Sequence, residues 1–183
     1  MKFHITNGEQ VLSNERVRYV SAVVAVTCIA AALTLTAAAA EPKYGAIDVG
    51  PDEALHLKRS DHKEETVRKE KGQTGFTAWA VSPDRRTVGW LALYPNPFPS
   101  AESQVPLTLV LFRNGVVLRR FPAEQSYYGW GFRANGKRVA SCDGPPSGGA
   151  TRCLLRDIET GKTVESWDPK SDGRPAWAIG LHY

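Results

Sequence analysis

Three groups of side chains in this sequence carry potential chemistry. The first is the carboxylates Asp84 and Asp143, each in a turn-forming stretch, the pair a two-carboxylate hydrolase of the cell envelope would need. The second is Cys142 and Cys153, which bracket the short segment DGPPSGGATR between two strand-like runs. The third is a set of aromatic and amide residues, Tyr94, Asn96, Phe98, Tyr127 and Tyr128, suited to gripping a partner by ring contact and hydrogen bonding. His56, His62 and His182 are scattered, and none has a metal-ligand neighbour at helical or strand spacing. There is no G-x-S-x-G elbow, no HExxH and no phosphate-binding glycine loop. The pattern thus calls for no cofactor and no metal. It favours a non-catalytic binding or scaffolding module, with the hydrolase as the alternative.

The cysteines fit a structural disulfide. C-x-x-C spacing is absent, and closing so short a loop stabilises by roughly 2–3 kcal/mol on the chain-entropy model. An even cysteine count after residue 40 suits an oxidising compartment. That agrees with the uncharged stretch Val20 to Ala40, which Arg16 and Arg18 precede and Ala38-Ala39-Ala40 closes. The pattern predicts a signal segment over residues 1–40, either cleaved after Ala40 or retained as an anchor. Cys28 follows Val26-Thr27 rather than the small residues of a lipid-attachment site. The expected location is periplasmic or secreted. Contact with a membrane would come only through a retained signal segment. The expected partner is a protein or another envelope component.

Charge excludes one class of partner. The chain carries +4 at neutral pH, and its basic residues are not massed with aromatics, so nucleic acid is not expected. Lys58, Arg59, Lys63, Arg68, Lys69 and Lys71 alternate with acids and read as a solvated strand face.

The elements that must position these residues are short strands. One pattern occurs twice between Phe76 and Trp167, with Trp79 and Trp130 51 residues apart at equivalent positions. Each copy is a hairpin followed by a hairpin: 76–81 with 87–93, then 107–112 with 116–121; next 128–133 with 137–142, then 153–158 with 162–167. Ser82-Pro83-Asp84-Arg85, Arg113-Asn114-Gly115, Ala134-Asn135-Gly136 and Glu159-Thr160-Gly161 supply the turns. Thr87 to Leu93 is apolar on both parities and predicts a strand buried on both faces. Upstream, 43–49 predicts a strand, and 54–58 with 65–70 a poorly buried edge hairpin. Downstream, Pro175 to Leu181 begins the pattern a third time, with Trp177 in the place of Trp79 and Trp130. The three indoles read as core anchors, or alternatively as a ligand-stacking row. The proline-rich stretch Tyr94 to Pro106 predicts a long loop and, with Tyr127 and Tyr128, a contact surface.

The phrases AWAVSPDRRTVGW, GFRANGKRVA and LRDIETGKTVESW resemble WD-repeat-like (TolB-type) β-propeller blades. In those a Ser-Pro-Asp-Gly turn joins the first two strands and an Asp…Thr-Gly turn the last two. The resemblance covers roughly Ala54 to Tyr183 and is best in the second unit. In the first unit Arg85-Arg86 replaces the Asp-Gly step and the proline loop is an insertion. The resemblance implies blade architecture and says little about ligand. Two units and two halves are too few to close a propeller. Three arrangements follow: sheets stacked face to face, a last strand completing the sheet begun at Ala54, or assembly of several chains. The expectation is an all-β antiparallel meander over 41–183, two blade-like four-stranded sheets with partial flanking units, open rather than closed, and monomeric.

Overall fold

The computed structural model of the chain describes residues 41, 43–97 and 103–181. The expected signal segment lies outside the described residues. Among the described residues, eleven strands run in order through three antiparallel meanders, none closed into a barrel. The first sheet is β1 (Tyr44–Val49), β2 (Leu55–Arg59) and β3 (Glu64–Val67). The second is β4 (Gly75–Val81), β5 (Val88–Pro95), β6 (Gln104–Arg113) and β7 (Val116–Pro122). The third is β8 (Ser126–Arg133), β9 (Arg138–Gly144), β10 (Arg152–Asp157) and β11 (Thr163–Trp167).

The turns form where the residue types demand. Asn114 (φ 53°) and Gly115 (φ 79°) both sit in the left-handed region, as a two-residue hairpin turn requires. Between β4 and β5 the Arg85 amide donates to the Ser82 carbonyl at 2.8 Å, and Asp84 accepts from the Ser82 hydroxyl and the Arg86 amide. Arg85 itself is left-handed (φ 63°), a region that favours glycine. Its side chain compensates by donating to the Tyr44 carbonyl at 2.8 Å, and Tyr44 N–H returns a bond to the Arg85 carbonyl.

The sheets stack face to face, with β5 in the middle layer. Val88, Trp90 and Ala92 pack with Tyr44, Leu55 and Leu57 of the first sheet. The opposite parity, Leu91, packs with Leu109, Leu111 and Phe121 against Trp130, Val139 and Ile158 of the third sheet. This is the strand buried on both faces that the apolar run predicts. The outer face of the third sheet buries Ala140, Leu155 and the Cys142–Cys153 disulfide beneath Trp177 and Leu181. The two cysteines are direct cross-strand partners of β9 and β10, with Cα atoms 4.0 Å apart.

Three sequence expectations change. The β2–β3 hairpin is not poorly buried: Leu55 and Leu57 are fully enclosed, because β1 extends the hairpin to a three-stranded layer that covers the second sheet. Residues 175–181 do not form a strand or complete the first sheet. They make a 3₁₀ turn at Ala176–Ala178 that lies over the third sheet, where Arg133 donates to the carbonyls of Trp177 and Ile179 at 2.7 Å each. Nor are the three equivalent tryptophans all core anchors. Trp130 is 1 % exposed, Trp177 is half-buried and Trp79 is 40 % exposed. A bulge between Thr77 and Ala80, with Ala78 left-handed (φ 47°), rotates Trp79 outward. The freed Ala78 carbonyl accepts the Trp130 indole N–H at 2.7 Å.

Candidate functional site

The two carboxylates are separated by the length of a strand. Asp84 lies beside Gly136, just before β9 begins, whereas Asp143 sits near the far end of β9. The five residue-to-residue steps from Arg138 to Asp143 span about 17 Å. That exceeds the ~9.5 Å upper limit for paired catalytic carboxyls. Asp143 is buried and engaged: Arg152 donates to it from Nε at 3.1 Å and Nη2 at 2.6 Å, and the Glu124 amide at 3.1 Å. Asp84 instead lines a cleft with Arg86, Arg113, Lys137, Asp157 and Glu159. Three acids there face three bases, and Arg113 pairs with Glu159, so the cleft carries no net charge to select an ion. The hydrogen bonds of the Thr160 amide and hydroxyl hold the Asp157 carboxyl below its ordinary range.

Of the histidines, His56 is held between Asp52 (2.9 Å at Nε2) and Glu64 (2.5 Å at Nδ1) on the first sheet. The two carboxylates occupy opposite nitrogens of the ring, so the trio does not converge on a common ion. Among the described residues no group of three or more potential ligands could hold a metal. His182 lies outside the described residues.

The aromatic set divides. Tyr94 is half-buried near the end of β5, paired with Val105, and the ladder continues through Pro95 and Gln104 to a bond from the Asn96 amide to the Ser103 carbonyl at 3.0 Å. The strands thus run further into the proline-rich stretch than its composition predicts. Phe98 lies outside the described residues. Tyr127 belongs to the core between the second and third sheets, 5 % exposed, with its hydroxyl donating to the Phe121 carbonyl at 2.8 Å. Burial pushes that hydroxyl up to about 12. Tyr128 braces the disulfide loop: its hydroxyl donates to the Pro145 carbonyl and accepts the Gly149 amide at 2.9 Å. Tyr94 and Asn96 therefore share one end of β5, while Tyr127 and Tyr128 serve the packing of the third sheet.

Tyr94 opens onto a shallow recess walled by Leu107, Thr108, Pro122, Ala123, Glu124 and Gln125. Gln125 Oε1 is buried and has no hydrogen-bond partner among the described residues. A buried acceptor without a donor is costly by about 1–3 kcal/mol. Sequence reasoning reached Tyr94 but missed Leu107, Pro122 and Gln125. The wall comes from β6, the end of β7 and the connection from β7 to β8, which only strand pairing brings beside Tyr94.

No protein-family model matches the chain, and no curated protein matches it. Among solved structures, one described as the crystal structure of the eukaryotic initiation factor aligns at a TM-score of 0.47 and 14% identity, over 72% of this chain and 30% of that one. The chain spans less than a third of that structure's length.

Proposed function

We propose that the protein is a non-catalytic, exported binding or scaffolding module built from WD-repeat-like blades, and that its partner, a protein or another envelope component, is held at the Tyr94 recess. One observation carries this reading: a half-buried tyrosine, apolar walls from Leu107 and Pro122, and the unpartnered acceptor Gln125 Oε1 converge at one end of the second sheet. An aromatic anchor with an apolar wall and one directional polar group is the usual composition of a contact hot spot. Tandem four-stranded meanders support the blade reading. Export, to the periplasm or beyond, is supported by the Val20–Ala40 stretch and the Cys142–Cys153 bond. The hydrolase alternative draws no support from carboxylates that sit at opposite ends of β9.

The test is site-specific photocrosslinking in the exporting cell. A benzophenone amino acid at position 94 should yield a discrete crosslinked species, and the same probe at exposed Val164 should not. Gln125→Leu should reduce the yield at 94 without loss of folded protein. No species at 94, or the same species from both positions, would remove the recess as the contact site.

A further inference from the structure

The Cys142–Cys153 bond lies on the face of the third sheet turned away from the second. Cys142 is 7 % exposed and Cys153 1 %. They share one apolar cluster with Ala140, Leu155 and Leu181, and Ala150, Trp167 and Trp177 pack against it. Leu181 and Trp177 belong to residues 174–181, which carry the 3₁₀ turn at Ala176–Ala178.

No ladder holds that segment. Among the described residues its backbone amides bond only within it, Ala178 to the Pro175 carbonyl at 2.9 Å and Ile179 to the Ala176 carbonyl at 3.3 Å. Side chains fasten it to the sheet. Arg133 donates to the Trp177 and Ile179 carbonyls at 2.7 Å each, and the Trp177 indole N–H donates to Glu165 at 2.7 Å. The Arg174 guanidinium lies 5.9 Å from the centre of the Trp167 ring. Ala178 and Leu181 are buried, whereas Ile179 is exposed. The loop after β9 is tied differently: the Thr151 amide donates to the Asp143 carbonyl at 2.9 Å, and the Tyr128 hydroxyl holds both Pro145 and Gly149. A segment with few buried apolar contacts and no ladder bonds opens at lower free energy than paired strands do. The cysteines stay opposed when it lifts, because β8, β9, β10 and β11 remain paired around them.

We propose that residues 174–181 are a releasable strap that controls reduction of the Cys142–Cys153 bond by an external dithiol. With the strap lifted, one thiolate of the dithiol attacks a cystine sulfur. The S–S bond breaks, a mixed disulfide forms, and the other cysteine leaves as a thiolate. The second thiolate of the dithiol displaces the first cysteine and closes the dithiol's own disulfide. Two electrons pass to the cystine, and the two protons the dithiol sheds end on the cysteines. The strap stands apart from the Tyr94 recess and does not depend on it.

The test is the rate at which dithiothreitol reduces the folded full chain at fixed pH, read by alkylation of Cys142 and Cys153. Arg133→Gln removes the charged bonds to the strap carbonyls and should speed reduction about tenfold or more. Leu181→Ala should speed it as well, and serves if Arg133→Gln fails to fold. Two further variants weaken the chain elsewhere. Val88→Ala takes buried volume from the core between the first and second sheets, and Tyr128→Phe frees the loop after β9. Both should leave the rate as it is in the native chain. An unchanged rate in Arg133→Gln or in Leu181→Ala would overturn the proposal. So would acceleration by Val88→Ala, which would mean that the bond is reached through unfolding of the sheets, or by Tyr128→Phe, which would mean entry under the loop.

Discussion

Replacing Gly89 with alanine should damage the joint between the second and third sheets, and Trp130→Phe should partly repair it. Gly89 lies on β5, where a Cβ would stand 2.5 Å from Trp130 Cη2, 2.9 Å from Cζ3 and 3.0 Å from Leu111 Cδ2. Trp130 has little room to retreat, because it is 1 % exposed and its indole N–H is fixed to the Ala78 carbonyl at 2.7 Å. Overpacking of this kind costs about 1–3 kcal/mol. Trp130→Phe alone removes the outer indole atoms and strands the Ala78 carbonyl, for a loss of about 2–4 kcal/mol. Combined, the alanine methyl occupies space the indole vacates. The double variant should then be about 1–2 kcal/mol more stable than the sum of the singles implies. Urea unfolding followed by far-ultraviolet circular dichroism gives each free energy, provided the slope m is unchanged across the four proteins. Additivity within about 0.5 kcal/mol would refute the face-to-face contact and the stacking built on it.

Two further outcomes follow from the same structure. Cys142→Ser with Cys153→Ser should lower stability by about 2–3 kcal/mol, for a bond of sequence separation 11, and adding reductant to the native chain should give a similar drop in the urea midpoint. On the first sheet, hydrogen bonds that the ring donates to Asp52 and then Glu64 hold the His56 imidazole above its ordinary 6.5. That contribution is fully present below 6.5, the unfolded value, and is lost as pH rises through the folded one. The urea midpoint should fall over that interval in the native protein, and the fall should shrink in His56→Gln; an identical profile in both would show that the trio is not coupled to folding.

Local chemistry sufficed for much of this architecture. Asn114-Gly115 demands left-handed backbone, so the β6–β7 hairpin was readable from two residues. The alternation around Cys142 and Cys153 placed them on facing strands, and the run Thr87 to Leu93 could only be a strand covered on both sides. The site was legible only in part. Tyr94 stood out by its prolines, but Leu107, Pro122 and Gln125 reach it through strand register, which no local pattern encodes. Tyr127 looked like a surface aromatic because its sequence neighbourhood is polar, and packing against Phe121 and Trp130 is what buries it.

What the sequence determined by itself, then, was each hairpin, its turn and the disulfide, because those depend on residues a few positions apart. What tertiary structure decided was which faces meet. One bulge at Ala78 put Trp79 in solvent and Trp130 in the core despite their equivalent spacing. The β1–β3 layer enclosed Leu55 and Leu57. Strand length carried Asp143 away from Asp84, and sheet stacking brought Arg156 onto Phe121. These follow from long-range burial, in which the free energy belongs to pairs of surfaces rather than to any one stretch of chain.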